Sequence, residues 1–547
     1  MKSTEASSLA DIEPRLRTLL PADLYANAWL DPSVDTLTEV FKHLRTMQRI
    51  LRDYIPLEVS ETLPRPGELR WEWHEGTLVF TDLAGFTPLM EAYEPFGLAG
   101  AMKVLEILND YFSAMIEIIS KSGGNLLEFT GDAMLIEFEK DPRKASQNDT
   151  AQAVRAALRM QRAMKPFKNM ETEQGRLSLE MRVGIHVGRF LSADIGTPRR
   201  MTHVLLGEAV QLTKRAEGAG QKGRVCVTEA AYERAKGEFR FLRQKDGHYL
   251  VLDDLTAAQL GEYDIRPPRR RFGSAALFDT SIPALLSEIE SAIRTVQPVA
   301  SYLPMPILNM VVENTGRREI VPRFTNLTAV FVGISGLSEV ADKALPDEEL
   351  GLIDCFSRIF ALVNAAVEAQ GGVLKDVTEH LERSGVLKYF GVPNALTADP
   401  ARGAHGARAI RAGIALVPPP TIGGAPARIT CQIGISHGLA FAAEIGEPRG
   451  RRDFNIHSNT VNTAARLMTR AQENQILITE SMYQHLAPHF ECEALGEVSL
   501  KGRSVPVPIY ALVGVKPGEA ARKPEARKPD KQPDSGKRGD LFSKLGV

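Results

Sequence analysis

Phe80-Thr81-Asp82-Leu83-Ala84-Gly85-Phe86-Thr87 is the stretch on which the reading of this chain turns, and it has a partner in Phe129-Thr130-Gly131-Asp132-Ala133. Residues 77–80 are β-branched and apolar and predict a buried strand. Asp82 falls where that strand ends, and Gly85 lets the backbone turn sharply. In the second stretch, Leu126-Leu127-Glu128-Phe129 runs into a Gly-Asp turn and then Met134-Leu135-Ile136, which predicts a hairpin. An acid at a strand end and an acid at a hairpin tip can meet in space. Two such carboxylates suit Mg²⁺, which takes oxygen ligands and completes its shell with substrate phosphates. Taken singly, each acid reads as an ordinary turn residue; the pair is what suggests chemistry.

Around this core the chain is long, at 547 residues, and predicts more than one domain. Its net charge of −2 offers no basic field for nucleic acid. Cys226, Cys355, Cys431 and Cys492 are scattered, which indicates neither a zinc site nor a disulfide framework and fits a reducing compartment. Residues 1–20 carry Glu5, Asp11, Glu13 and Arg15, so no signal peptide is expected there. No uncharged apolar run approaches the ~20 residues of a membrane span. The expectation is a soluble cytoplasmic protein with no nucleic-acid partner and no membrane span.

In chain order, residues 1–70 predict a helical region, with apolar positions from Leu37 to Leu51 near a 3.6 period, as a place for a partner or sensor protein. Pro64-Arg65-Pro66-Gly67 breaks it off. Residues 71–245 form a first domain: the opening strand, helices over 97–122 and 150–164, strands over 177–185 and 204–207, and a helix over 208–217. Gly184 to Gly188 is read as a turn out of its strand. The mixture of alternating elements with a hairpin favours an α+β sheet of ferredoxin-like type. Residues 246–325 are a linker containing a helix over 282–296, and Pro267 to Arg271 reads as a solvated break. Residues 516–547 are a basic tail too polar to fold, with a short docking helix at Leu541 to Leu545 as the alternative.

Residues 326–515 repeat the first domain. Leu327 to Gly336 echoes the opening strand, Gly371-Gly372 echoes Gly123-Gly124, Gly434 to Gly438 echoes Gly184 to Gly188, and Val461-Asn462 echoes Val210-Gln211. Tyr302-Leu303-Pro304 likewise echoes Tyr54-Ile55-Pro56, and all these offsets lie between 248 and 251 residues. Two copies of one fold can pair about a pseudo-twofold axis. The copies have kept different residues. Gly333 stands at the Asp82 position, and residues 378–385 hold no Gly-Asp turn. The second copy has instead Asn462 and Arg466, four apart on one face of a predicted helix.

The Phe-Thr-Asp-Leu-Ala-Gly-Phe-Thr run, Gly123-Gly124 and Gly131-Asp132 resemble the metal-binding half of class III nucleotide cyclases, and Val461-Asn462-Thr463-Ala464-Ala465-Arg466 resembles the complementary half. The tandem of unlike domains is similar to soluble adenylyl cyclases. The resemblance implies two ferredoxin-like cyclase domains in a pseudo-twofold heterodimer within one chain, with one competent site that converts ATP to 3′,5′-cyclic AMP and pyrophosphate. It implies two Mg²⁺ ions, with Mn²⁺ as a substitute, at Asp82, Asp132 and the carbonyl of Leu83. Backbone groups at Gly85, Phe86 and Thr87 would cradle phosphates, Asn462 would orient the ribose, Arg466 would stabilise charge at the α-phosphate, and Lys501 would meet the triphosphate.

For the base, adenylyl members carry a lysine after Gly-Gly and an acid or Thr before the Val-Asn helix. Those places fall on Asp376, with Lys375 one residue away, and on Asn455. Glu128 resembles the glutamate of guanylyl cyclases but lies in the other half, and with Lys214 it stands where soluble adenylyl cyclases bind bicarbonate, so no bicarbonate activation is expected. Two rival readings stand beside the adenylate cyclase: a catalytically silent nucleotide-binding or regulatory protein, and a guanylate cyclase.

Overall fold

The computed structural model describes residues 9–140, 148–172, 175–244, 246–261, 279–380, 383–447, 450–499 and 506–517. Lys501, Pro267 to Arg271 and Leu541 to Leu545 lie outside the described residues.

Two eight-stranded sheets have the same strand order. In the first the order is Asn125–Thr130, Ala133–Glu139, Arg70–Ala84, Glu180–Thr197, Val225–Thr228, His248–Val251 and Phe241–Arg243, with Arg200–Leu206 branching from Glu180–Thr197. The second runs Val373–His380, Arg383–Phe390, Arg323–Ser335, Thr430–Gly446, Ile476–Thr479, Val507–Val515 and Phe490–Val498, with Arg452–His457 as its branch. Pairing is antiparallel except where the long fourth strand meets the fifth. Helices Gly97–Lys121 and Asp149–Ala163 cover the first sheet, and Glu349–Glu368 and Asp399–Ile414 the second. These are two ferredoxin-like domains in tandem.

The long fourth strand is where the structure departs most from the sequence reading. Glu180–Thr197 passes straight through Gly184 to Gly188 and pairs with the opening strand along its whole length, so no turn occurs there. Gly184 serves close approach instead. A Cβ on it would lie 2.1 Å from the backbone nitrogen of Glu217, in the helix Glu208–Ala219. Gly434 does the same for the helix Asn459–Arg470, with Ala464 O at 2.0 Å.

Beyond these glycines the long strands become arms that cross to the other domain. Leu191, Ala193 and Ile195 are buried in the second domain's core, and Phe441, Ala443 and Ile445 in the first domain's. Apolar burial in both directions, at ~25 cal/mol per Å², fixes the halves about the pseudo-twofold.

The helical preface obeys the same symmetry. Helix Val34–Asp53 packs along Ile282–Ala300 through Leu37, Val40, Leu44, Met47 and Leu51 on one side and Leu285, Ile289, Ile293 and Val296 on the other. The tyrosine after each helix then reaches a carboxylate on the opposite arm. Tyr302 donates to Asp194 at 2.9 Å, and Tyr54 donates to Glu444. The segment between the domains is thus partly a second copy of the preface.

Helix Glu349–Glu368 is long and apolar enough, by length and composition, to cross a membrane, which the sequence reading did not anticipate. Leu352, Phe356, Phe360 and Val363 on it are buried in the second domain's core.

Candidate active site

Asp82 lies near the end of Arg70–Ala84, and Asp132 in the turn between Asn125–Thr130 and Ala133–Glu139. The register Thr81 opposite Met134 brings the two acids to one edge. Asp132 is partly buried, and its carboxyl is pushed up to about 8, first by burial and then by the negative charge of Asp82. Arg182 offsets part of that charge, bonding Asp82 at 2.5 Å and Glu217 at 2.7 Å. Leu83 is buried beside Asp82.

Gly85 makes the turn that follows, with φ +99° and no room for a Cβ, which would meet Ser178 O at 2.1 Å. It caps the helix Phe86–Tyr93, whose first-turn N–H groups have no intrahelical acceptors. Phe86 is buried, and Thr87 is half-buried beside the facing domain.

The second domain presents strand Arg452–His457 to this edge, every second residue making a contact. His457 packs against Phe86, with ring centroids 4.8 Å apart and planes tilted by 58°. Burial, with Lys375 adding to it, lowers its pKa to about 3 and keeps it neutral. Asn455 donates to the carbonyl of Gly131 at 3.2 Å, one residue from Asp132. Asp453 accepts from Lys375, whose Nζ is 2.6 Å from both of its carboxylate oxygens.

Of the positions offered by the sequence reading, Asp376 or Lys375 and Asn455, the structure pairs Lys375 with Asp453 and turns Asn455 to Gly131. The cause is a bulge: Leu374 pairs with Lys388 and Val377 with Val386, so two residues oppose one and Lys375 turns inward. Asp376 lies in that bulge, and its side chain is outside the described residues. Sequence reasoning missed Asp453, although it stands two residues before Asn455, and it missed Arg182 and Glu217, which no local motif marks.

Helix Asn459–Arg470 follows the strand. Asn459 meets Thr87 at 3.5 Å and Glu91 at 3.4 Å. Asn462 is exposed and Arg466 half-buried, one and two turns along the same face. The contacts that cross this interface are Phe86 with His457, Gly131 with Asn455, and Thr87 and Glu91 with Asn459, on the segments that carry Asp82 and Asp132.

The pseudo-symmetric position differs. From the glycine pairings Phe80–Gly184 and Phe331–Gly434, two residues on, Asp82 and Arg182 correspond to Gly333 and Gln432. Both charges of the ion pair are gone from the second copy. There the contact between halves is Ser338 with Gly207 N at 3.3 Å and Asp342 with Glu208 N at 2.6 Å.

Among the described residues, one group of side chains is spaced for a metal ion by geometry, Glu58 with Glu72 and His74, and it is a different place from the Asp82–Asp132 pair.

The family model described as "Adenylate and Guanylate cyclase catalytic domain" matches residues 72–253 and 406–514. The chain is similar to an adenylate cyclase of Anabaena cylindrica, 30% identical over 146 residues that cover 26% of each chain. It is also similar to adenylate cyclase type 10 of Rattus norvegicus, 28% identical over 161 residues, 29% of this chain and 10% of that one. The similarity thus spans about a quarter or less of these relatives. A solved class III adenylyl cyclase-like ATP-binding protein from Pseudomonas aeruginosa shares the fold over 82% of this chain and 93% of its own, with TM-score 0.51 and 11% identity.

Proposed function

We propose, from the premise that this chain belongs to the family of adenylate and guanylate cyclase catalytic domains, that it converts ATP to 3′,5′-cyclic AMP and pyrophosphate at a single site between its unlike halves. The observation that carries this reading is the Asn455 hydrogen bond to Gly131, 3.2 Å long. It ties the Lys375–Asp453 pair, found in the second half, to the hairpin that carries Asp132 in the first.

The acidic pair suits a divalent ion. Its donors are oxygens, which hard cations prefer, and Asp132 keeps its proton because of burial and the charge of Asp82. Asp82, Asp132 and the Leu83 carbonyl would hold Mg²⁺, or Mn²⁺ in its place. The chemistry such ions supply is neutralisation of phosphate charge and acidification of the ribose 3′-hydroxyl.

The chain's own groups do the rest. N–H groups at Gly85, Phe86 and Thr87, at the start of a helix, receive the phosphates. Asn462 orients the ribose, and Arg466 faces the α-phosphate with a fork that Lys lacks. Asp453 accepts from the adenine amino group while Lys375 donates to the neighbouring ring nitrogen. Positioning and charge stabilisation account for most of the acceleration. The work is placed in the cytoplasm, a reading supported by four free cysteines.

A second reading, a catalytically silent nucleotide-binding protein, is favoured by Arg182. Its guanidinium already sits on Asp82, where an ion would go. For a guanylate cyclase, the residue in favour is Glu128, which accepts from Thr130 within its own strand. Turnover with ATP and with GTP, in Mg²⁺ and in Mn²⁺, separates the three. Cyclic AMP supports the first; binding of ATP without any cyclic product supports the second; cyclic GMP alone supports the third.

A further inference from the structure

We infer that Glu58, Glu72 and His74 form a binding site for a transition-metal ion of the Zn²⁺ type, which clamps the helical preface to the strand that carries Asp82. The ligand atoms of these three residues all lie within 4.8 Å of one another. They come from two elements that have no covalent reason to converge so tightly. Glu58 is on the short helix Leu57–Glu61, and Glu72 and His74 are on one face of strand Arg70–Ala84.

The imidazole stands between two carboxylates, Glu58 on one side and Glu137 on the other. Its Nε2 lies 3.5 Å from Glu58 Oε1 and 2.9 Å from Ser192 Oγ. Bonds of about 2.0–2.1 Å to Zn²⁺ place tetrahedral ligand atoms about 3.3 Å apart, which the Glu58–His74 pair already matches and to which Glu72 closes from within 4.8 Å. Ser192 stands opposite Glu72 across the sheet. The ring is fixed by stacking on Phe190, with centroids 5.1 Å apart and planes 13° from parallel.

An independent feature points the same way. Glu137 is only 4% exposed, and its partner is His74. Its Oε1 lies 3.4 Å from His74 Nδ1, the side of the ring turned away from Glu58. A carboxylate behind a histidine is the arrangement that orients metal-binding imidazoles and raises their basicity. Exposed Glu72 leaves an open approach. Imidazole with two carboxylates suits Zn²⁺, Co²⁺ or Mn²⁺ better than Ca²⁺ or Mg²⁺. The rival is an imidazolium that itself satisfies Glu58 and Glu137, with no metal.

The test uses the full chain carrying Asp82→Asn and Asp132→Asn, so that the acidic pair contributes nothing. Zn²⁺ is added, excess removed by gel filtration, and bound metal counted. Co²⁺ is added separately and its visible spectrum recorded. The expected result is one Zn²⁺ per chain, a Co²⁺ spectrum free of thiolate charge-transfer bands, and a higher melting temperature with Zn²⁺. Glu72→Gln, at the surface, is expected to weaken binding at least 10-fold, His74→Gln to abolish it, and Glu137→Gln to weaken it 10- to 100-fold. No retained Zn²⁺, thiolate bands, or retention unchanged by Glu72→Gln overturns the site, whether or not His74→Gln folds.

Discussion

The ammonium of Lys375 lies 2.6 Å from each carboxylate oxygen of Asp453, buried on the second domain two residues from the asparagine that touches the Asp132 hairpin. In the proposed mechanism this pair opens to read the base. Asp453→Asn removes a charge-assisted partner worth about 1.5–3 kcal/mol, so kcat/KM for ATP is expected to fall about 10- to 100-fold. Steady-state kinetics with ATP and GTP check this, and an unchanged ATP/GTP ratio would count against the assignment.

Asp132 gives the acidic pair a pH dependence. Its folded-state pKa is raised from 3.8 to about 8 by burial and by Asp82. Between those values the metal-free folded chain keeps a proton that the unfolded chain has lost. The stability from this group is therefore present at low pH and declines as pH rises through the window. Asp132→Asn is expected to melt higher than the parent at pH 7.5 without metal, and to flatten the decline. Because a metal ion must displace the proton, apparent Mg²⁺ affinity is expected to rise about tenfold per pH unit up to about pH 8. Melting curves and metal titrations at several pH values measure both.

Gly434→Ala tests how helix Asn459–Arg470 is held. The added Cβ would lie 2.0 Å from Ala464 O and 2.5 Å from Met468 N, both backbone atoms, so the helix must move. Overpacking of this kind costs about 1–3 kcal/mol or more. Loss of stability in urea, with loss of turnover although no polar group is touched, is the expected outcome.

Tyr302→Phe removes the hydroxyl that donates to Asp194, which is 2% exposed. The expected cost is about 1.5–3 kcal/mol, and Tyr54→Phe at the pseudo-symmetric place is expected to behave alike. Denaturant unfolding of both variants checks whether the preface is built into the fold symmetrically.

Much of this architecture was legible because its signals are local. Asp82 at a strand end, Gly85 at a turn and Gly131-Asp132 at a hairpin tip announce themselves within a few residues. The repeat was legible from constant offsets. What could not be read depended on distant backbone. Gly184 and Gly434 look like turn residues, yet each sits mid-strand under a helix that approaches too closely for a side chain. The bulge at residues 375–376 breaks the alternation by which a strand's inward face is counted, so Lys375 and its partner Asp453 could not be matched by spacing. Arg182 meets Asp82 only because two strands 100 residues apart pair in register.

The central claim is that acids from the front half and the Asn462–Arg466 face of the rear half act on one triphosphate. Its most direct test is the rate of cyclic AMP formation from ATP and Mg²⁺ by the parent, Asp82→Ala and Arg466→Ala, each verified as folded. The expected result is turnover by the parent and a loss of at least about 100-fold in each variant. A variant that keeps the full rate, or a parent that binds ATP and forms no cyclic product, would contradict it.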